Sequence, residues 1–135
     1  MSSKAAAVKR RIVVVDDDAM VRETVRLSLE HAGFEVKTVE DPATAADAAR
    51  AVKDGKADMV VLDMYMGPVD GRDVARILKA DPATARIPIV FFTGSDEAVD
   101  VVTGLDTGAV DYIGKPIDGE ILISKIRHIL KLDAR

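Results

Sequence analysis

Asp63 closes an apolar run, Met59 to Leu62, and comparable runs end in Asp16-Asp17-Asp18, in Thr93 and just before Lys115. Carboxylates, a hydroxyl and an ammonium at strand ends are the groups a metal-assisted phosphoryl acceptor uses. A carboxylate oxygen can attack phosphorus in line, provided that a cation and hydrogen-bond donors neutralise the charge on the transferring group. The acidic group makes its own demand. Asp18 suits the N-cap of a following helix, but Asp16 and Asp17 near Asp63 would crowd like charges. At ~4 Å and an effective dielectric of roughly 20, two such charges repel by about 4 kcal/mol. A bound cation relieves that conflict. With no cysteine and two isolated histidines in the chain, hard oxygen ligands favour Mg2+.

The elements that must hold these groups can be read from patterning. Ile12-Val13-Val14-Val15, Met59-Val60-Val61-Leu62 and Ile89-Val90-Phe91-Phe92 are apolar without alternation, as expected of strands buried on both faces of a parallel sheet. Glu35 to Val39 and Asp111 to Gly114 supply two more. Helical patterns lie between them. Ala19 to His31 carries Val21, Val25 and Leu29 on one stripe with Arg22, Glu23, Arg26 and Glu30 elsewhere, and stops at Gly33. Asp41-Pro42 predicts the start of a second helix reaching about Lys53. A third is expected from near Gly71 to Lys79, and a fourth over roughly Glu97 to Thr107, begun by Ser95 or Asp96. A fifth runs from Asp118 to about Leu132, burying Leu122, Ile126, Ile129 and Leu130. His31 and His128 fall on helices with no evident partner and are expected at the surface.

This alternation of strand and helix predicts an α/β fold, a doubly wound five-stranded parallel sheet with five helices and right-handed crossovers. Ligands in such folds bind beyond the carboxyl ends of the strands, where the winding reverses. For the flavodoxin-like order 2-1-3-4-5 that point lies between strands one and three, which end in Asp16-Asp17 and Asp63.

Composition agrees. The 135 residues are 48% hydrophobic and 31% charged, as in ordinary globular proteins, and their number suits one domain with one core. The expected organisation is a polar, basic tail over residues 1–10, a domain over 11–132 and a short tail over 133–135. A formal charge of -4, from 19 basic and 23 acidic residues, predicts no direct nucleic-acid contact, which usually shows as a basic surplus. The absence of cysteine fits a reducing compartment, and no apolar stretch approaches the roughly 18 residues of a membrane span. A cytoplasmic protein without membrane contact is expected.

Four pieces of the chain together resemble the receiver domain of two-component response regulators, of the chemotaxis-regulator type. They are Val14-Val15-Asp16-Asp17-Asp18 with Arg22 following, Val61-Leu62-Asp63 with Asp70-Gly71 following, Phe92-Thr93-Gly94, and Asp111-Tyr112-Ile113-Gly114-Lys115-Pro116. The resemblance spans about Arg11 to Leu132. It implies that Asp63 is the phosphoacceptor, that Asp17 and Asp63 coordinate Mg2+ directly, that Asp16 does so directly or through water, and that the main-chain carbonyl of Tyr65 completes the protein ligands. It implies further that a cis Lys115-Pro116 peptide turns the Lys115 ammonium inward, that Thr93 and the Gly94 amide contact the phosphoryl group, and that Thr93 and Tyr112 form the switch. Met66-Gly67-Pro68 departs from the family's usual Met-Pro, leaving the path of that loop open. Tyr65, two residues past the acceptor, is expected to shield the acyl phosphate, and Ile117, in place of the commoner Phe, to affect packing only.

The resemblance implies a signalling phosphoprotein in a phosphorelay rather than a turnover enzyme. Its donor would be a sensor histidine kinase or histidine phosphotransfer protein, and its output a protein target or homodimer engaged through helix four, strand five and helix five. Two alternatives stand beside it. A haloacid-dehalogenase-type phosphatase would need an acid two residues after the nucleophile, where Tyr65 stands. A receiver-like scaffold that works without phosphorylation would predict a missing acid, threonine or lysine, and each is present.

Overall fold

Ile12 to Val15 are wholly shielded from solvent because helices cover both faces of the strand they form. The computed structural model describes residues 9–94, 98–116 and 118–131. Its strands β1 (Arg11–Val15), β2 (Glu35–Val39), β3 (Met59–Asp63), β4 (Ile89–Thr93) and β5 (Asp111–Gly114) form one parallel sheet in the order β2-β1-β3-β4-β5. The helices are α1 (Ala19–His31), α2 (Ala45–Asp54), α3 (Gly71–Ala80), α4 (Ala98–Leu105) and α5 (Gly119–Ile129). Both the fold class and the strand order agree with the expectation.

The non-alternating strands divide their side chains between two cores. Ile12, Val14, Val61, Val90 and Phe92 pack with Val25 and Leu29 of α1 and Leu122 and Ile126 of α5. Val13, Val15, Val60, Leu62 and Phe91 pack with Val52 of α2 and Val74 and Leu78 of α3. The pairs Val15↔Leu62, Asp63↔Phe92 and Thr93↔Gly114 then bring the strand ends level along one edge. Among the described residues, no helix is long and apolar enough to cross a membrane.

Several local expectations need correction. The second helix starts at Ala45, with the Thr44 hydroxyl accepting from the Asp47 amide. Asp41 cannot cap it, because its backbone has φ +39, whereas an N-cap residue is extended. On α1 the buried polar member is Arg22, which shares the inward stripe with Val25 and Leu29, while Val21 is only partly buried. The fifth helix ends at Ile129, and Ile129 and Leu130 are partly rather than fully buried. Ser95, Asp96 and Ile117, Leu132 at the expected end of the fifth helix, and residues 1–8 and 133–135 of the expected tails lie outside the described residues.

The loop after β3 closes in a short antiparallel ribbon, Tyr65–Met66 against Val69–Asp70, that sequence reading left open. Gly67 supplies its turn with φ +58, a conformation that glycine adopts without a steric cost. Asp70 ends the ribbon and caps α3, its carboxylate accepting from the Arg72 amide at 2.8 Å.

Candidate functional site

Each strand end delivers one group to the shared edge. β3 ends in Asp63, β1 leads into Asp16 and Asp17, β4 ends in Thr93, and Lys115 follows β5. The Lys115 ammonium lies 3.0 Å from Asp16 Oδ2 and 3.3 Å from Asp63 Oδ2, and stands 5.1 Å from the centroid of the Phe92 ring. The peptide between Lys115 and Pro116 is cis. Asp16 and Asp63 are buried, with 1% and 5% of their surface exposed, while Asp17 is open to solvent.

Backbone donors fix the two buried carboxylates. Asp16 Oδ1 accepts from the Asp18 amide at 2.9 Å, and Asp63 Oδ1 from the Tyr65 amide at a longer 3.4 Å. Behind them, Arg22 Nη1 donates to the Asp16 carbonyl at 2.7 Å. This buried guanidinium therefore orients the strand end rather than the reacting edge. Gly71 has a similar supporting part. Its amide donates to the Met64 carbonyl at 2.7 Å, and any Cβ there would stand 2.1 Å from the Asp63 carbonyl oxygen.

The electrostatics are those of an acid pair sharing one cation. Burial, and then the charge of Asp16, push the Asp63 carboxyl up to about 6, against the opposing pull of Lys115 and the Tyr65 amide. For Lys115, burial disfavours the charge, but its contacts with Asp16 and Asp63 outweigh that and hold its pKa above the usual lysine value. One ammonium does not satisfy two carboxylates. Asp16 Oδ2 is buried, and the Lys115 ammonium that approaches it at 3.0 Å is shared with Asp63.

Oxygens of Asp16, Asp17 and Asp63 lie within 4.8 Å of one another and could hold a metal ion. An all-carboxylate donor set with one member open to water is suited to a hard divalent cation that keeps part of its hydration shell, which describes Mg2+. The two buried carboxylates left to share one ammonium are the observation that fits such an ion.

Thr93 is buried at the end of β4, Gly94 is exposed beside it, and Tyr112 is half-buried on β5 against the core that includes Phe91. A Cβ built on Gly94 meets nothing within 4 Å. The Tyr65 side chain, 47% exposed, reaches toward α4, where its hydroxyl donates to Asp100 Oδ1 at 2.8 Å. His31 and His128 are exposed. Sequence reading missed the supporting parts of Arg22 and Gly71 and the contact of Tyr65 with Asp100. Arg22 carried a signal, since it lies three and seven residues before Val25 and Leu29.

Comparison with known proteins bears on this arrangement. Residues 12–127 match the family model of the response regulator receiver domain. The DNA-binding response regulator MtrA of Mycobacterium tuberculosis is 38% identical over 123 residues, which make up 91% of this chain and 51% of that protein. The chain thus spans about half the length of the curated relatives it matches. The solved signal receiver domain of a DNA-binding response regulator from Colwellia psychrerythraea aligns with TM-score 0.82 and 26% identity, covering 91% of this chain and 99% of that one. The receiver domain of a sensor histidine kinase from Pseudomonas aeruginosa, described with a magnesium ion coordinated in its active site cleft, has the same fold, with TM-score 0.81 at 22% identity and coverage of 92% and 99%. These relatives overturn the expectation of no direct nucleic-acid contact, since MtrA is itself named DNA-binding. A net charge of -4 describes these 135 residues alone and does not decide whether such contact is made.

Proposed function

The chain belongs to the response regulator receiver domain family, and from that premise we propose that Asp63 accepts a phosphoryl group from a phosphohistidine. An Asp63 carboxylate oxygen forms the new bond to phosphorus as the bond from phosphorus to the imidazole nitrogen breaks. That nitrogen leaves with the electron pair. The protein acts as a signalling phosphoacceptor, and any catalysis is confined to its own phosphorylation and dephosphorylation.

The observation that carries this reading is the position of Lys115 between two buried carboxylates, 3.0 Å from Asp16 and 3.3 Å from Asp63. A fixed cation beside the attacking oxygen offsets charge as the phosphoryl group arrives. Asp16, Asp17 and Asp63, with the main-chain carbonyl of Tyr65, would hold Mg2+. When bound, the ion supplies further charge neutralisation to the transferring group. Thr93 donates its hydroxyl, and Gly94 its amide, to the phosphoryl oxygens. Thr93 and Tyr112 then relay the added charge, roughly -2 at neutral pH, to the face of α4, β5 and α5. The functional unit covers residues 11–132 and works in the cytoplasm.

Intact mass after incubation with acetyl phosphate tests the reading on the parent and on Asp63→Asn, with and without Mg2+. A gain of one phosphoryl group that requires both Mg2+ and Asp63 is expected. No gain in a folded parent protein would instead favour a receiver-shaped scaffold that works unphosphorylated.

A further inference from the structure

Tyr65 meets the acceptor with its backbone and α4 with its side chain. The amide points to Asp63 Oδ1 at 3.4 Å, and the hydroxyl donates to Asp100 Oδ1 at 2.8 Å. Arg72, in the first turn of α3, joins the same group. Its guanidinium forks onto the carboxylate of Asp70, donates to Thr103 Oγ1 of α4 at 2.9 Å, and lies 5.3 Å from the centroid of the Tyr65 ring. Asp100 Oδ1 stands 3.9 Å from Arg72 Nη1. The acceptor loop, the start of α3 and the middle of α4 are therefore tied through one polar cluster.

We propose that the Tyr65, Arg72 and Asp100 side chains form a latch that holds α4 to the acceptor loop, with Tyr65 as the residue that couples the two. Asp70 anchors Arg72 at both ends of its fork, so the guanidinium is a fixed post rather than a loose surface charge. Tyr65 spans from that post to Asp100, and its main chain is the segment next to Asp63. Displacement of the loop by a group on Asp63 pulls on Asp100, and displacement of α4 pulls on the loop. Such coupling is reciprocal by thermodynamic necessity. The latch itself is a property of the unmodified protein; its use in signalling rests on Asp63 being the phosphoacceptor.

Hydrogen exchange of the α4 amides tests the latch in the unphosphorylated parent, Tyr65→Phe, Asp100→Asn and the double variant. Tyr65→Phe keeps the ring over Arg72 and removes only the hydroxyl. The α4 amides should exchange roughly fivefold faster in each single variant, the ratio one net hydrogen bond sustains, and no faster in the double variant. Amides of β1, β3 and β4 should be unchanged. Unaltered α4 exchange in Tyr65→Phe, or single effects that multiply in the double variant, would overturn the proposal. The same samples, treated with acetyl phosphate and weighed, report phosphoacceptance separately. Failure of the latch and failure of the phosphoacceptor reading are thus distinguishable.

Discussion

Lys115 Nζ lies 3.0 Å from Asp16 and 3.3 Å from Asp63, so one ammonium from the end of β5 is shared by carboxylates from the ends of β1 and β3. Its removal would leave two buried acids facing each other without a cation. Uncompensated buried charge is among the costlier defects in a protein. Lys115→Met should lower the stability of the metal-free protein near neutral pH by about 3 kcal/mol, as read from urea unfolding. Saturating Mg2+ should restore most of that loss, because a divalent ion offsets the same two charges. A variant as stable as the parent without Mg2+ would mean that the contact is not holding the carboxylates together.

The raised Asp63 carboxyl sets a pH dependence whose direction follows from linkage. A folded-state pKa of about 6, above the ordinary carboxylate value, means that the protonated form favours the native state. That contribution is fully present below the unfolded pKa, near 4, and is lost as pH rises through about 6. A Mg2+ ion held by Asp63 would require the ionised carboxylate. The gain in melting temperature on adding Mg2+ should therefore be larger near pH 8 than near pH 5, and the difference should largely vanish in Asp63→Asn. Equal gains at both pH values in the parent would contradict the assignment of Asp63 to the metal.

Gly71 allows α3 to start against the end of β3. A methyl group there would meet the Asp63 carbonyl oxygen at 2.1 Å, so either β3 or α3 must shift. Gly71→Ala should destabilise the fold by roughly 2 kcal/mol or more, in the range of overpacked sites, and weaken Mg2+ binding as well. Urea unfolding and a Mg2+ titration followed by melting temperature check both. Unchanged stability would show that the close approach relaxes without cost.

The corrected start of α2 has its own test. Thr44→Ala removes the hydroxyl that accepts from the Asp47 amide and should cost about 1 kcal/mol. Asp41→Gly should be neutral or slightly stabilising, since Asp41 has φ +39 and glycine tolerates that region. Chemical denaturation of the two variants decides between the two capping positions.

The sheet was legible because strands buried on both faces leave an unmistakable pattern: Val13 and Val14 point into different cores, so neither could be polar. The carboxylates and Thr93 were legible because each stands at the end of such a run, whereas β5 is only partly buried and Lys115 was legible from the Lys115-Pro116 motif that follows it. Side chains whose role depends on contacts across the fold were harder to read. Arg22 counts as polar in any periodicity, and only the position of the Asp16 carbonyl, 2.7 Å from its guanidinium, explains its burial. Asp41-Pro42 resembles a helix start, yet the backbone after β2 needs a left-handed residue there, and Thr44 takes the cap. The ribbon from Tyr65 to Asp70 contains only two paired positions, too few to leave a strand pattern. The link from Tyr65 to Asp100 joins residues 35 positions apart, which no local pattern encodes.

Peptide mapping after borohydride reduction tests the central claim most directly, because reduction converts an aspartyl phosphate to homoserine and so marks the acceptor itself. After treatment with acetyl phosphate and Mg2+, homoserine is predicted at position 63 alone, and at no position when Mg2+ is withheld. Homoserine at Asp16 or Asp17 instead, or labelling of position 63 that is indifferent to Mg2+, would contradict the account.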